Sequence, residues 1–193
     1  MVSAVVAAGL VAVGVAFVSL AVLHVVGRGL SPVERTISEY VLLGPVCRAG
    51  FRVMVVGLAV AGLAVLVLER GHPVAVVSLA LFGVGLLAAG VVPTDPVDLA
   101  SGEVELSRAG RVHLLAASVA FLSPVVAAFA VGPAGAFPAQ YLPLTGLCCF
   151  IVSLALGPAL PSSFRVRAVH GIGERLWMLA TMAWLAIALA AHT

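Results

Sequence analysis

The sequence predicts an all-α, polytopic membrane protein, a helical bundle with six transmembrane helices in a single domain over residues 1–193. Hydrophobic residues make up 63% of the chain and charged residues only 9%, whereas a soluble domain is roughly 25% charged. Six apolar stretches are each long enough to cross a bilayer as a helix, which takes about 20 residues. Almost all arginines lie between alternate pairs of these stretches, as in the cytoplasmic loops of multi-pass proteins.

Gly, Pro and Ser residues that stop helices separate the six predicted spans. The spans are Val2–Val26, Val46–Leu68, Pro73–Val92, Gly110–Val131, Ala139–Leu160 and Ala168–Ala191. Pro143 and Pro158 are expected to kink the fifth span near its two ends, which neighbouring helices in a membrane can tolerate. No basic segment and no cleavage site accompany the first span, so we expect a retained helix rather than a signal peptide.

The basic residues predict the orientation of the chain in the cell membrane. All ten are arginines, and nine of them lie in or beside the first, third and fifth connections, against Arg70 alone on the other face. This asymmetry predicts that these three connections are cytoplasmic and that both termini are outside. No basic stripe with interleaved aromatic residues occurs, so a nucleic-acid partner is not expected.

The acidic residues share the face of the arginines, although topology rules make no demand on acids. Seven of the eight lie there: Glu34, Glu39, Asp95, Asp98, Glu103, Glu105 and Glu174. Ionisable groups near the hydrocarbon boundary are costly unless they are paired or hydrated. The cluster therefore indicates either a polar pocket or a network of ion pairs between helix ends.

If the cluster is a pocket, its carboxylates and imidazoles can supply acid–base chemistry and its arginines can bind an anionic group. The candidate catalytic residues are Asp95 and Glu39 as acids, with His113 and Glu174 orienting them. The candidate substrate-binding residues are Arg35, Ser38, Arg111, His170 and Arg175. We expect Glu39, Asp95, His113 and Glu174 to converge although they come from four parts of the chain.

The alternative is that these charges are structural. Arg–carboxylate pairs could fix the helix ends and the first loop with no substrate, and Arg165 and Arg167 could serve membrane topology alone. His113, His170 and Asp95 have neither HxxxH nor HExxH spacing, so we predict no metal site. A Ser–His–Asp triad lacks a Gly-x-Ser-x-Gly elbow to support it, and no cofactor is expected.

At these residues the sequence resembles the domain-of-unknown-function family 998 of bacterial and archaeal membrane proteins. The matching pieces are Thr36-Ile-Ser38-Glu39, Pro93-Thr94-Asp95, His113, and Glu174-Arg175. The resemblance covers nearly the whole chain and implies a six-helix membrane protein. Leu114 follows His113 where a glycine is expected. In size and in carboxylates at one membrane face, the chain is also similar in design to small integral-membrane terpene cyclases.

These observations predict an integral membrane enzyme that acts on a lipid or isoprenoid substrate by acid–base chemistry at the cytoplasmic face. A terpene cyclase, which protonates its substrate with a carboxylic acid, is one such enzyme. The alternative is a non-catalytic protein that binds lipid or a partner. The expected partners are the lipid bilayer and a hydrophobic small molecule or lipid. Aromatic residues are only 6% of the chain, fewer than a cationic cyclisation favours.

Overall fold

The computed structural model describes residues 1–33, 35–95, 106–131, 138–159 and 170–193, without the side chains of 155–159 and His170. Within these ranges the chain forms six α-helices and no β-strand. The helices are α1 (Val2–Val26), α2 (Pro45–Leu68), α3 (Pro73–Val91), α4 (Arg108–Val131), α5 (Leu142–Ala159) and α6 (His170–Ala190). Short 3-10 helices, Ser38–Leu43 and Ala139–Tyr141, precede α2 and α5.

Each predicted span is a helix whose ends lie within three residues of the predicted ends. Proline explains several of the starts. Pro45 and Pro73 open α2 and α3, where the missing N–H would have no partner in any case. Pro143 lies in the first turn of α5, where its missing N–H would likewise have no helical partner.

Successive helices pack as three antiparallel hairpins, α1–α2, α3–α4 and α5–α6, and α1 also packs on α6. Each hairpin contains a glycine that allows the backbones to approach closely. A Cβ on Gly57 would lie 2.9 Å from the Ala12 carbonyl oxygen, and one on Gly85 would lie 2.8 Å from that of Ala116. A Cβ on Gly146 would lie 2.7 Å from the Trp177 Cα. Close contact of small residues is what drives helix packing where lipid is the solvent.

Several aromatic side chains pack in the core. Trp177 is fully buried and stacks on Phe121 with ring centroids 3.9 Å apart, while Phe121 meets Phe150 edge to face at 5.0 Å. Phe51 and Phe82 are buried as well. These contacts support the packing role of the aromatic residues.

Five helices in the described ranges, namely α1, α2, α3, α4 and α6, are long and apolar enough to cross a membrane. This finding supports a multi-pass membrane protein. In the fifth predicted span, the apolar stretch with described side chains is shorter, Ala139–Leu154. An exact count of six spans is therefore not established by length and hydropathy.

Polar groups lie at both ends of the bundle. The charged end, defined by Glu39, Asp95, His113 and Glu174, combines the last turns of α1 and α3 with the first turns of α2, α4 and α6. At the opposite end, His192 lies 2.8 Å from the Glu69 carboxylate. His72 lies 3.7 Å from the other oxygen of the same carboxylate. These contacts give His72 and His192 a pairing role at helix ends.

Candidate functional site

Glu39 binds the backbone just before it, at the start of the first 3-10 helix. Its carboxylate accepts hydrogen bonds from the Thr36 backbone N–H at 2.8 Å and from the Thr36 hydroxyl at 3.2 Å. The first of these bonds is the glutamate half of a capping box, and it satisfies a backbone donor that a helix start leaves free. Arg35 pairs with the other Glu39 oxygen at 3.1 Å, and Ser38 contacts the Thr36 hydroxyl at 3.1 Å. Glu39 is only 2% exposed.

Glu174 binds the next backbone N–H of the same loop. Its carboxylate accepts a hydrogen bond of 2.6 Å from Ile37, and its side chain is 7% exposed. The consecutive N–H groups of Thr36 and Ile37 thus each hold a different buried carboxylate. Glu39 and Glu174 are therefore neighbours, brought together from the first loop and from the first turn of α6.

The Arg175 guanidinium joins α6 to the first loop and to α1. It donates to the carbonyl oxygens of Arg35 at 2.9 Å and Gly171 at 2.7 Å, and to the Tyr40 hydroxyl at 3.2 Å. The same group lies 5.6 Å from the centre of the Tyr40 ring, within the range of a cation–π contact. Arg175 therefore contacts backbone and side-chain groups of the loop that also holds Glu39.

His24 completes this group, although the sequence pattern indicated no role for it. Its Nδ1 lies 2.7 Å from the Leu20 carbonyl oxygen, and its Nε2 lies 2.5 Å from the Arg175 Nε. Because a carbonyl only accepts and a guanidinium only donates, Nδ1 carries the proton and Nε2 accepts. Its position late in an apolar helix suggested only an interfacial residue. Together these contacts define the loop cluster, which comprises His24, Arg35, Thr36, Ile37, Ser38, Glu39, Tyr40, Glu174 and Arg175.

Asp95 caps the start of α4. Its carboxylate accepts hydrogen bonds from the Ser107 backbone N–H at 2.7 Å and from the Ser107 hydroxyl at 3.0 Å. The Ser107 hydroxyl in turn accepts from the Gly110 N–H at 3.0 Å, as an N-cap residue does. The negative charge of Asp95 also lies where the helix dipole favours it. Each of these contacts stabilises the start of α4.

His113 lies one turn inside α4 and is 7% exposed. Its Nδ1 lies 3.0 Å from the Val92 carbonyl oxygen, so the Nδ1–H group donates to that oxygen. The second ring nitrogen, Nε2, takes no part in this bond. Thr181 Oγ1 is the one fully buried side-chain nitrogen or oxygen without a partner in the described part of the chain. His113 Nε2 has no hydrogen-bond partner among the described residues, and His113 lines the space beside it.

That space is a cleft of about 190 Å³, called the arginine cleft below. Its walls come from the first 3-10 helix, the start of α2, the end of α3 and the start of α4. The lining residues include Val41, Leu42, Arg48, Arg52, Val91, Val92, Thr94 and His113. The Arg52 Nε–H donates to the Gly90 carbonyl oxygen at 3.2 Å. Among the described residues, no acidic side chain lines this cleft.

The predicted site residues divide between these two places. Glu39, Glu174, Arg35, Ser38 and Arg175 belong to the loop cluster. Asp95 and His113 lie on the other side of the first 3-10 helix. Two residues of this helix, Val41 and Leu42, line the arginine cleft. Convergence of all four acid–base residues in one pocket remains a prediction.

Arg111 and several residues outside the described ranges complete the set of predicted residues. Arg111 is exposed and makes no side-chain hydrogen bond within the described ranges. The side chain of His170 lies outside the described residues, as do Glu34, Asp98, Glu103, Glu105, Arg165 and Arg167. No group of three or more His, Cys, Asp or Glu side chains suited to a metal ion occurs in the described part of the chain.

Arg48, Arg52 and His24 are the site residues that the sequence interpretation left out. The i, i+4 spacing of Arg48 and Arg52 at the start of α2 is visible in the sequence and places both on one helix face. Nothing in the local sequence of His24 shows that Arg175 will reach it, because the two residues are 151 positions apart.

No curated protein and no solved structure matches the chain. The model of one protein family does match, over residues 10–191, and that family is described as protein of unknown function (DUF998). The match spans nearly all the helices described above. The chain is therefore a multi-pass membrane protein that belongs to the DUF998 family.

Proposed function

We propose that this protein binds an anionic amphiphile, a lipid or isoprenoid, with the head group in the arginine cleft and the hydrocarbon tail in the bilayer. The observation that carries the proposal is the charge of the cleft. Arg48 and Arg52 line it together with His113, and no carboxylate in the described ranges faces them there. Arginine binds phosphate and carboxylate groups through paired N–H donors.

The size and position of the cleft fit a head group. Pockets for drug-sized ligands measure about 300–1,000 Å³, and this cleft measures about 190 Å³. Leu42 and Val91 line it and are also 49% and 73% exposed on the apolar surface. A tail attached to a bound head group can therefore pass directly into the surrounding lipid.

Arg52 is oriented for such a ligand. Its Nε–H is held by the Gly90 carbonyl oxygen at 3.2 Å, and the terminal N–H groups of its guanidinium have no partner in the described part of the chain. Arg48 lies one helical turn earlier, on the same face. Two guanidinium groups beside one small cleft can surround a single anionic group.

The loop cluster and Asp95 support the structural alternative for the carboxylates. Glu39, Glu174 and Asp95 each accept hydrogen bonds from backbone N–H groups. Each carboxylate thus has a structural task at a helix start or in a loop, which supports binding by the arginine cleft rather than cyclase chemistry that uses Asp95 or Glu39 as the acid.

A second candidate function is an enzyme that acts on the same amphiphile with His113 as the base. One ring nitrogen of His113 is held by a backbone carbonyl, and the other has no partner in the ranges that the structure describes, which is the arrangement of an oriented general base. In both cases we propose that α5 also crosses the membrane, which gives six spans in total. We also propose that the charged end is cytoplasmic and that both termini are outside. The excess of arginine at that end supports this orientation.

Native mass spectrometry of the purified chain tests the proposal. We expect retained phosphatidylglycerol to exceed retained phosphatidylcholine, and the R48Q/R52Q double variant to lose that preference. Arg28→Gln and Arg70→Gln are matched controls, because both arginines are exposed and lie outside the cleft. Equal retention of anionic lipid by the double variant and the wild type would exclude the arginine cleft as the binding site.

A further inference from the structure

The hydrogen-bonding groups of the arginine cleft specify more than a negative charge. Arg48 and Arg52 can only donate. The Thr94 hydroxyl donates to the Asp95 carbonyl oxygen at 3.3 Å, which leaves the lone pairs of its oxygen. With an Nδ1–H group donating to the Val92 carbonyl oxygen, the His113 ring presents the lone pair of Nε2. Among the described residues, the cleft therefore combines strong donors on α2 with acceptors on the opposite wall that have no donor yet.

A complementary head group must accept several hydrogen bonds and also share one proton with the cleft. A phosphomonoester does both, since its second pKa is about 6 and one oxygen readily holds or shares a proton. The bond to His113 Nε2 then forms whether the proton belongs to the phosphate or to the ring. A phosphodiester or an ionised carboxylate has no such proton and forms this bond only when the ring itself is protonated.

Charge and size favour the same class. When the shared proton resides on the His113 ring, a bound phosphomonoester carries about −2 charges, which match two guanidinium groups better than the single charge of a phosphodiester. A phosphodiester must also accommodate a second substituent, and the cleft of about 190 Å³ is below the range for drug-sized ligands. A terminal phosphate needs room only for itself and the first carbons of the chain that bears it.

We propose that the arginine cleft is selective for a terminal phosphate on a membrane-embedded chain, the phosphomonoester of a lipid or isoprenoid alcohol. Arg48 and Arg52 bind its anionic oxygens, and His113 Nε2 shares its proton. This inference rests on the proposed function, because it assigns the class of head group at the same site.

The test compares two anionic lipids with the same acyl chains, dioleoyl phosphatidate and dioleoyl phosphatidylglycerol, by native mass spectrometry of the intact chain at pH 7. The wild type should bind phosphatidate about tenfold more tightly, since one additional hydrogen bond to a charged group has that effect. Equal affinities in the wild type would overturn the terminal-phosphate inference without any variant. The proposed function would still stand if the R48Q/R52Q double variant no longer bound either lipid.

His113→Phe should reduce the preference for phosphatidate over phosphatidylglycerol to about twofold or less. Because His113 is buried, a loss in His113→Phe can also come from misfolding. His113→Gln therefore serves as a second variant, whose amide can still bond the phosphate and should keep part of the preference. An unchanged preference in folded His113→Phe protein would overturn the role of His113. Inorganic phosphate alone should compete only weakly. Displacement of phosphatidate by an equal concentration of inorganic phosphate would show that free phosphate, and not a lipid, is the ligand.

Discussion

The Glu174 carboxylate accepts a hydrogen bond of 2.6 Å from the backbone N–H of Ile37, a residue 137 positions earlier in the chain. This contact fixes the first loop on the first turn of α6. It also places Glu174 beside Glu39, which holds the preceding N–H group of the same loop. The charged end of the bundle is thereby organised around backbone donors and buried carboxylates.

Glu174→Ala should destabilise the protein by about 1–3 kcal/mol, because it leaves the buried Ile37 N–H without an acceptor. Glu174→Gln keeps an acceptor oxygen and should lose less. Thermal unfolding in detergent measures both effects. Ile172→Ala is the control, since Ile172 is 41% exposed on the same turn. Equal melting temperatures for Glu174→Ala and Ile172→Ala would contradict the structural role of Glu174.

Arg175→Lys should be almost as destabilising as Arg175→Ala, about 2 kcal/mol. A lysine ammonium cannot reproduce the planar guanidinium that donates in several directions at once. The four acceptors around Arg175 come from α1, the first loop and α6. His24→Phe should show part of the same loss, measured by the same unfolding experiment. Wild-type stability of Arg175→Lys would mean that only the positive charge matters at this position.

Gly171→Ala should destabilise the contact between α6 and the first loop. A Cβ on Gly171 would lie 2.6–2.8 Å from the carbonyl oxygens of Arg35, Pro32 and Val33, and these backbone atoms cannot rotate away. Gly14→Ala is the matched control, because its Cβ would meet nothing within 4 Å. We expect protease cleavage in the first loop to become faster in Gly171→Ala and to stay unchanged in Gly14→Ala. The reverse order would show that the loop does not pack on α6.

Asp95→Asn separates a capping role from an acid-catalyst role. The amide keeps one acceptor oxygen but loses the charge and one of the two bonds from Ser107, so we expect a loss of about 1 kcal/mol. Ser107→Ala should cost a similar amount, and the double variant should cost clearly less than the sum, because the two residues share the same hydrogen bonds. Additive losses would contradict the cap. A fully stable Asp95→Asn chain that lost turnover of a lipid substrate would instead favour the acid-catalyst hypothesis.

The helices were predictable from the sequence because hydropathy and span length directly reflect the bilayer. The gathering of charges at one end was predictable from the arginines. Two features could be recognised only in the folded structure. The pattern Thr36-x-x-Glu39 is a capping box in the sequence, but whether Glu39 caps or catalyses depends on its neighbours. The contact of His24 with Arg175 depends on the packing of α1 against α6, which no local pattern encodes.

The orientation in the membrane follows from the proposed topology. A C-terminal fusion to alkaline phosphatase, which is active only outside the cytoplasm, should be active, and the corresponding green fluorescent protein fusion should be dark. Fusions in the connection between α3 and α4 should show the opposite pattern. A fluorescent C-terminal fusion would require an odd number of spans or an inverted insertion.

A cryo-electron microscopy structure of the protein in nanodiscs made with lipids of its own host membrane tests the central claim most directly. The proposed function predicts elongated density whose head group lies within about 3 Å of the Arg48 and Arg52 guanidinium groups, the distance of a charge-assisted hydrogen bond, with its tail leaving past Leu42 and Val91. An empty arginine cleft, or a lipid head group bound between Glu39 and Glu174 instead, would contradict it.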